Sequence, residues 1–269
     1  MAGDDGETRS DAEPAAGGPP PSGLVPAPRG RPWGFWASLG WTALWIGLWM
    51  LVGTVVAVAA ATIAVVRDPK LDAQAFVAGM AGNGLLIALA AILAAPVQIG
   101  LVVLLAWVRM PVRVYLGLGA VGARETLVGV GLLGVLLAAQ DGLTLLAGRP
   151  VVPPFMVEAY RTAGFLPLLV AALVVAAPMA EETLFRGFLF AGIAASRAGA
   201  VGAVLISSAV WAAIHFQYDL YGVGLIFVEG LFLGIVRWKT GSVTLTILLH
   251  AVANAIATIE ATVVVEGWL

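Results

Sequence analysis

An all-α bundle of about seven transmembrane helices behind a disordered N-terminal tail is the fold this sequence predicts, on three observations. Apolar residues make up 61% of the 269 residues and charged residues only 11%, against about 25% charged in a water-soluble domain. So few charges cannot cover a globule, and lipid must solvate most of the chain. From Trp33 onward, apolar stretches approach, again and again, the roughly 20 residues a span needs. Trp33, Trp36, Trp107, Trp238 and Trp268 fall near the ends of those stretches, where amphipathic rings meet the membrane–water interface.

Composition also excludes. A net charge of −2 argues against nucleic acid as a partner. The chain has no cysteine, which removes disulfides, thiolate catalysis and Cys-ligated zinc. It has two histidines, His215 and His250, so any imidazole chemistry uses one or both.

Residues 1–32 are rich in Gly, Pro and Ala, acidic at first and then Pro-rich. They have almost nothing to bury and are expected to be disordered. No apolar core follows a basic start there, so they do not read as a signal peptide. The apolar stretches then run at about 35–66, 83–108, 125–147, 165–195, 200–216, 221–236 and 242–264. The fourth is long enough for its second half to leave the membrane. The fifth and sixth are short, which leaves tilt or a partial span open. This divides the chain into a tail (1–32), three helices without motifs (33–150) and a C-terminal core (151–269). No internal repeat is evident, which gives no support to an inverted-repeat transporter.

Basic residues set an expected orientation. With seven spans and a cytoplasmic N-terminus, one side holds Arg29, Arg31, Arg109, Arg113, Arg124, Arg197, Arg237 and Lys239. The other holds Arg67, Lys70, Arg149 and Arg161. That bias predicts the N-terminus inside and the C-terminus outside.

The chemistry concentrates in the fourth, fifth and seventh stretches. An ionised group at the bilayer centre costs at least ~2.5–3.5 kcal/mol, so charges there need a reason. Glu182 and Arg186 in "AEETLFRGF" are four apart with the acid first, the favourable order for a helical ion pair. Glu181 lies about 100° around the helix from Glu182 and is left as an unpaired carboxylate, a candidate general base or metal ligand. Pro178 frees a backbone carbonyl and is placed to kink the helix. Read alone, the three charges also suit an interfacial segment at the end of the fourth span.

His215 follows Trp211 by four, and His250 precedes Asn254 by four. Each pair alone reads as an interfacial group or as helix–helix glue. Together with Glu181 they are explained more simply by one polar cluster lined by three helices. Gly230 and Gly234 permit close helix approach, and Thr240-Gly241-Ser242 reads as a turn and N-cap. Glu229 is a further mid-span acid that lines the same cavity or reaches the outer water beside Asp219. Gln98, Gln140, Asp141 and Asn83 read as helix–helix contacts or span ends.

These residues carry a resemblance. Glu181-Glu182-x-x-x-Arg186, then Trp211-x-x-x-His215, then His250-x-x-x-Asn254, with "FVEGLFLGIVRWKTGSVTLTILLHAVANA", resemble the CPBP intramembrane protease family. This is the group of CAAX prenyl protease type II and Abi (bacteriocin-immunity) proteins. The similarity covers about 165–265, and Trp211 stands where the family pattern usually has phenylalanine. The resemblance implies that Glu181 and His215 activate a water, and that His250 and Asn254 stabilise the oxyanion or His250 helps bind a metal. Glu182 and Arg186 take the supporting motif positions. A zinc site of His215, His250 and Glu181 is chemically open, since catalytic zinc uses three protein ligands, although the H-E-x-x-H helix is absent. Ser207 and Ser208 lack triad partners by spacing.

The expectation is therefore a multi-pass cell-membrane endopeptidase acting on a membrane-associated peptide or protein in the lipid bilayer. The high Ala, Gly, Val and Leu content points to a bacterial origin, which argues against classical prenylated substrates. Two other classes remain: a proton-coupled transporter relaying through Glu181, Glu229 and the histidines, and a non-catalytic scaffold or immunity protein.

Overall fold

A computed structural model describes residues 30–268; the part of the expected tail before residue 30 lies outside the described residues. Within them the chain is helix and turn with no strand. The helices are α1 (Phe35–Arg67), α2 (Ala73–Gly79), α3 (Gly84–Arg109), α4 (Val112–Leu116), α5 (Ala123–Leu146) and α6 (Pro154–Arg161). They continue with α7 (Leu166–Ala194), α8 (Gly199–Ala213), α9 (Leu220–Thr240) and α10 (Val243–Glu266). Six of these (α1, α3, α5, α7, α9 and α10) are long and apolar enough to cross a membrane.

The fifth apolar stretch is short, as its length in the sequence indicated. Its helix, α8, has 15 residues and so measures about 22 Å, short of a hydrocarbon core of about 30 Å. The chain nonetheless runs from one end of the bundle to the other, because residues 214–219 complete the path. One end is marked by Arg109 Nε donating to the Arg31 carbonyl (3.1 Å) and Val243 N–H to the Gly117 carbonyl (3.0 Å). The opposite end is marked by the Arg149–Asp219 ion pair and by Gly84 N–H donating to Thr162 Oγ1 (2.8 Å). Asp219, reached from α8, sits at that second end.

Local chemistry starts and stops the helices. Asn83 Oδ1 accepts from Leu86 N–H (3.1 Å), Asp219 Oδ1 from Gly222 N–H (2.9 Å) and Ser242 Oγ from Leu245 N–H (3.1 Å). These are N-caps that satisfy otherwise orphaned donors. The Gly222 N–H and the Arg149 guanidinium together hold the Asp219 carboxyl below the usual carboxylate range. Gly241, with φ of 68°, closes α9 in the left-handed region that a Cβ disfavours. The expected Thr240-Gly241-Ser242 turn is therefore present.

The mainly apolar helix α7 is the most enclosed, with Leu184, Phe185, Arg186, Phe188 and Leu189 all buried. It packs against α1, α3, α8 and α10. Large side chains such as Leu51, Val58, Val97, Leu132 and Val135 point outward, where acyl chains replace water. Lipid offers little hydrophobic drive between helices, so close packing of small residues matters more. A Cβ on Gly230 would come within 3.1 Å of Ser208 and Trp211, and one on Gly234 within 3.1 Å of Val204; these glycines bring α9 against α8. Gln140 Nε2 donates to the Leu225 carbonyl (2.9 Å), bridging α5 and α9. At the first end, Tyr115 Oη accepts Trp33 N–H (3.1 Å), and burial pushes its phenol up to about 12.

Gly84 starts α3 against α6 with no room to spare. A Cβ there would overlap the Ala159 carbonyl oxygen and lie 3.1 Å from Ala163 Cα. Both neighbours are backbone and cannot swing aside. Gly84→Ala is expected to cost about 1–3 kcal/mol, the range for overpacking, read as a lower unfolding temperature in detergent. Gly131→Ala, where a Cβ meets nothing within 4 Å, is the control and should leave that temperature unchanged or raised.

Candidate functional site

Helix α7 departs from regular α geometry on both sides of its acidic pair. Ala172–Ala176 and Thr183–Leu189 are π-helical, flanking Ala177–Glu182. Where Pro178 alone predicted a kink, the helix widens in two π turns, a feature frequent at functional sites. It aims Glu181 and Glu182 at different neighbours.

Glu182 is fully buried. Its Oε1 accepts from Arg186 NH1 (2.7 Å) and lies 3.1 Å from His250 Nδ1. Arg186, equally buried, donates through NH2 to the Gly230 carbonyl (3.1 Å) and lays its guanidinium 4.4 Å from the centre of the Trp211 ring. The i, i+4 spacing anticipated the ion pair; the histidine and the aromatic face come from other helices. Glu182 and Arg186 thus lock α7 to α9 and α10 and orient His250.

Glu181 is not the unpartnered carboxylate the helical wheel suggested. Its Oε2 accepts a 2.6 Å hydrogen bond from Trp211 Nε1. His215 is also not on the helix with Trp211; it lies just past the end of α8, with Nδ1 2.8 Å from the Trp211 carbonyl. A carbonyl only accepts, so Nδ1 carries the hydrogen and Nε2 is left as the acceptor. Trp211 sits at the centre of the group, its ring 5.1 Å from that of His215 and 5.3 Å from that of His250. An indole N–H four residues before a histidine was the signal available in the sequence for this role.

Glu181, His215, His250 and Asn254 all line one cavity of about 640 Å³. None of the four hydrogen-bonds directly to another. Asn254 Nδ2 donates to the Leu173 carbonyl in the first π turn (2.7 Å), leaving its second N–H and its oxygen for other partners. The wall is otherwise mainly apolar and aromatic, including Trp49, Leu137, Phe155, Phe216 and Ile226. Glu229 lines this cavity as well, which decides between its two expected positions.

The metal expectation does not fit this donor set. Among the described residues no three His, Cys, Asp or Glu side chains gather to hold an ion. Glu181 Oε2 is engaged by an indole donor and His250 Nδ1 by Glu182.

Comparison with known proteins places this constellation. Residues 163–256 match the family described as type II CAAX prenyl endopeptidase Rce1-like. That segment holds Glu181, Glu182, Arg186, Trp211, His215, His250 and Asn254, the residues that carry the resemblance. A protein of Escherichia coli described as an uncharacterized 24.3 kDa protein is 31% identical over 133 residues, 46% of this chain. The match spans 60% of that relative's length. No solved structure matches the chain.

Proposed function

We propose that this multi-pass membrane protein is an intramembrane endopeptidase that hydrolyses a peptide bond of a membrane-associated substrate with an activated water. The observation that carries the reading is the shared cavity: an acid, two imidazoles and an amide, all from the Rce1-like segment, line one space. Hydrolysis needs a base for the water proton and donors for the developing oxyanion. The free oxygen of Glu181 and Nε2 of His215 are the acceptors for that proton. The attacking oxygen bonds to the carbonyl carbon, and the carbonyl oxygen becomes the oxyanion. The remaining Asn254 N–H and, with His250 protonated on both nitrogens beside the Glu182 carboxylate, its Nε2–H are the donors that receive it. The stored proton then passes to the leaving nitrogen as the C–N bond breaks, giving a carboxylic acid and an amine, which exchange a proton to leave as carboxylate and ammonium. The test is incubation of the purified protein in detergent with apolar peptides, with product masses read for addition of one water. Proton-dependent flux in liposomes with no cleavage would favour the transporter reading instead.

Trp211 is a positioning residue in this scheme. Trp211→Phe keeps an aromatic ring but removes the N–H that holds Glu181, together with the five-membered half of the indole. The expected result is a fall in kcat of about tenfold, the value of one charge-assisted hydrogen bond, with KM unchanged. A merely packing role would leave kcat intact.

The same reading has the N-terminus in the cytoplasm; the support is the greater basicity of the end bearing Arg31, Arg109, Arg113, Arg197, Arg237 and Lys239. The chain has no cysteine, so single-cysteine reporters are clean. Lys70→Cys should react with an impermeant maleimide on intact cells, and Lys239→Cys should react only after lysis. The reverse pattern would invert the orientation.

A further inference from the structure

Glu229 has no role in the chemistry above, and its surroundings call for one. It projects from α9 into the cavity that holds Glu181, His215, His250 and Asn254. Among the described residues its carboxylate makes no hydrogen bond or ion pair, whereas Glu182 has Arg186 and Asp219 has Arg149. No lysine or arginine lines the cavity. The guanidinium of Arg186 is directed at Glu182, the Gly230 carbonyl and the face of Trp211. Two carboxylates, Glu181 and Glu229, therefore face an apolar space whose wall supplies no lysine or arginine to match them. Aromatic rings of Trp211, Tyr218 and Phe155 complete the wall, a surface suited to a cation.

We propose that Glu229 is a specificity residue that receives the ammonium or guanidinium group of a substrate lysine or arginine. The substrate class is then an apolar peptide segment carrying one basic side chain near the bond to be cut. This rests on the endopeptidase reading for its meaning, but not for its measurement. An unpaired carboxylate in a low-dielectric cavity is costly until a cation meets it. Binding such a side chain satisfies Glu229, and an apolar isostere cannot. The aliphatic stem of lysine or arginine lies against the apolar wall while the charged head reaches the carboxylate.

The experiment compares two otherwise identical apolar peptides, one with lysine and one with norleucine at a single position. Both are titrated into the full-length protein in detergent, wild type and Glu229→Gln, and binding is followed by the fluorescence of Trp49 and Trp211, which line the cavity. The lysine peptide should bind at least about tenfold more tightly to the wild type, as expected for a charge-assisted contact. In Glu229→Gln, shown folded by an unchanged melting curve, that ratio should fall to about one. Equal binding of the two peptides by the wild type, no binding of either, or a preference that survives in Glu229→Gln would each overturn the proposal. Cleavage is read in the same samples. Lysine-selective binding without cleavage would leave this inference standing and remove the endopeptidase reading; cleavage with no basic preference would do the opposite.

Discussion

Glu181→Gln is expected to lower kcat for peptide cleavage by about 10²–10⁴, the usual contribution of a positioned general base. The substitution is nearly isosteric. The amide carbonyl can still accept the Trp211 N–H that now holds Glu181 Oε2, so the ring and α8 keep their places. What is lost is the capacity to take a proton from water. KM should change little, because no atom is removed from the cavity wall. His215 Nε2 remains as an acceptor and accounts for residual turnover. The measurement is single-turnover cleavage by wild type and variant at matched folding, checked by melting curves. Retention of more than a tenth of the wild-type rate would take Glu181 out of the proton transfer and return it to a structural role.

The second large effect falls on stability. Glu182 and Arg186 are both fully buried and bonded at 2.7 Å. Removing Arg186 leaves a buried carboxylate with His250 as its one remaining ion-pair partner, and also strips a donor from the Gly230 carbonyl and a cation from the Trp211 face. Breaking a buried pair on one side costs about 3–5 kcal/mol, since the surviving charge is uncompensated. Arg186→Ala and Glu182→Ala are each expected to lose that much in detergent unfolding. A paired replacement, Glu182→Leu with Arg186→Met, should be less damaging than either single change, because no charge is stranded. Single variants within about 1 kcal/mol of wild type would mean that water reaches the pair and screens it.

How much of this was legible in the chain depends on the distance over which each contact acts. The Glu182–Arg186 pair lies within one helical turn, and the period of 3.6 residues was enough to find it. The N-caps at Asn83 and Ser242 and the turn at Gly241 are equally local. The contact of Trp211 with Glu181 spans 30 positions and that of His250 with Glu182 spans 68; no periodicity connects them. The helical wheel left Glu181 unpartnered because it counts only the helix's own neighbours. The same limit placed His215 on a helix that stops at Ala213.

By itself, the sequence determined the solvent, the helical class and the short-range pairs. An 11% charged chain has no soluble option, backbone groups in lipid must bond within their own helix, and i, i+4 geometry needs no tertiary partner. The tertiary structure alone decided that Trp211 holds Glu181, that Asn254 turns one N–H to Leu173, and that Glu229 enters the cavity. The reason is physical. In a bilayer, helix register and rotation are set by close contact at small residues such as Gly84, Gly230 and Gly234. That contact depends on shape in three dimensions, which leaves no repeating mark along one.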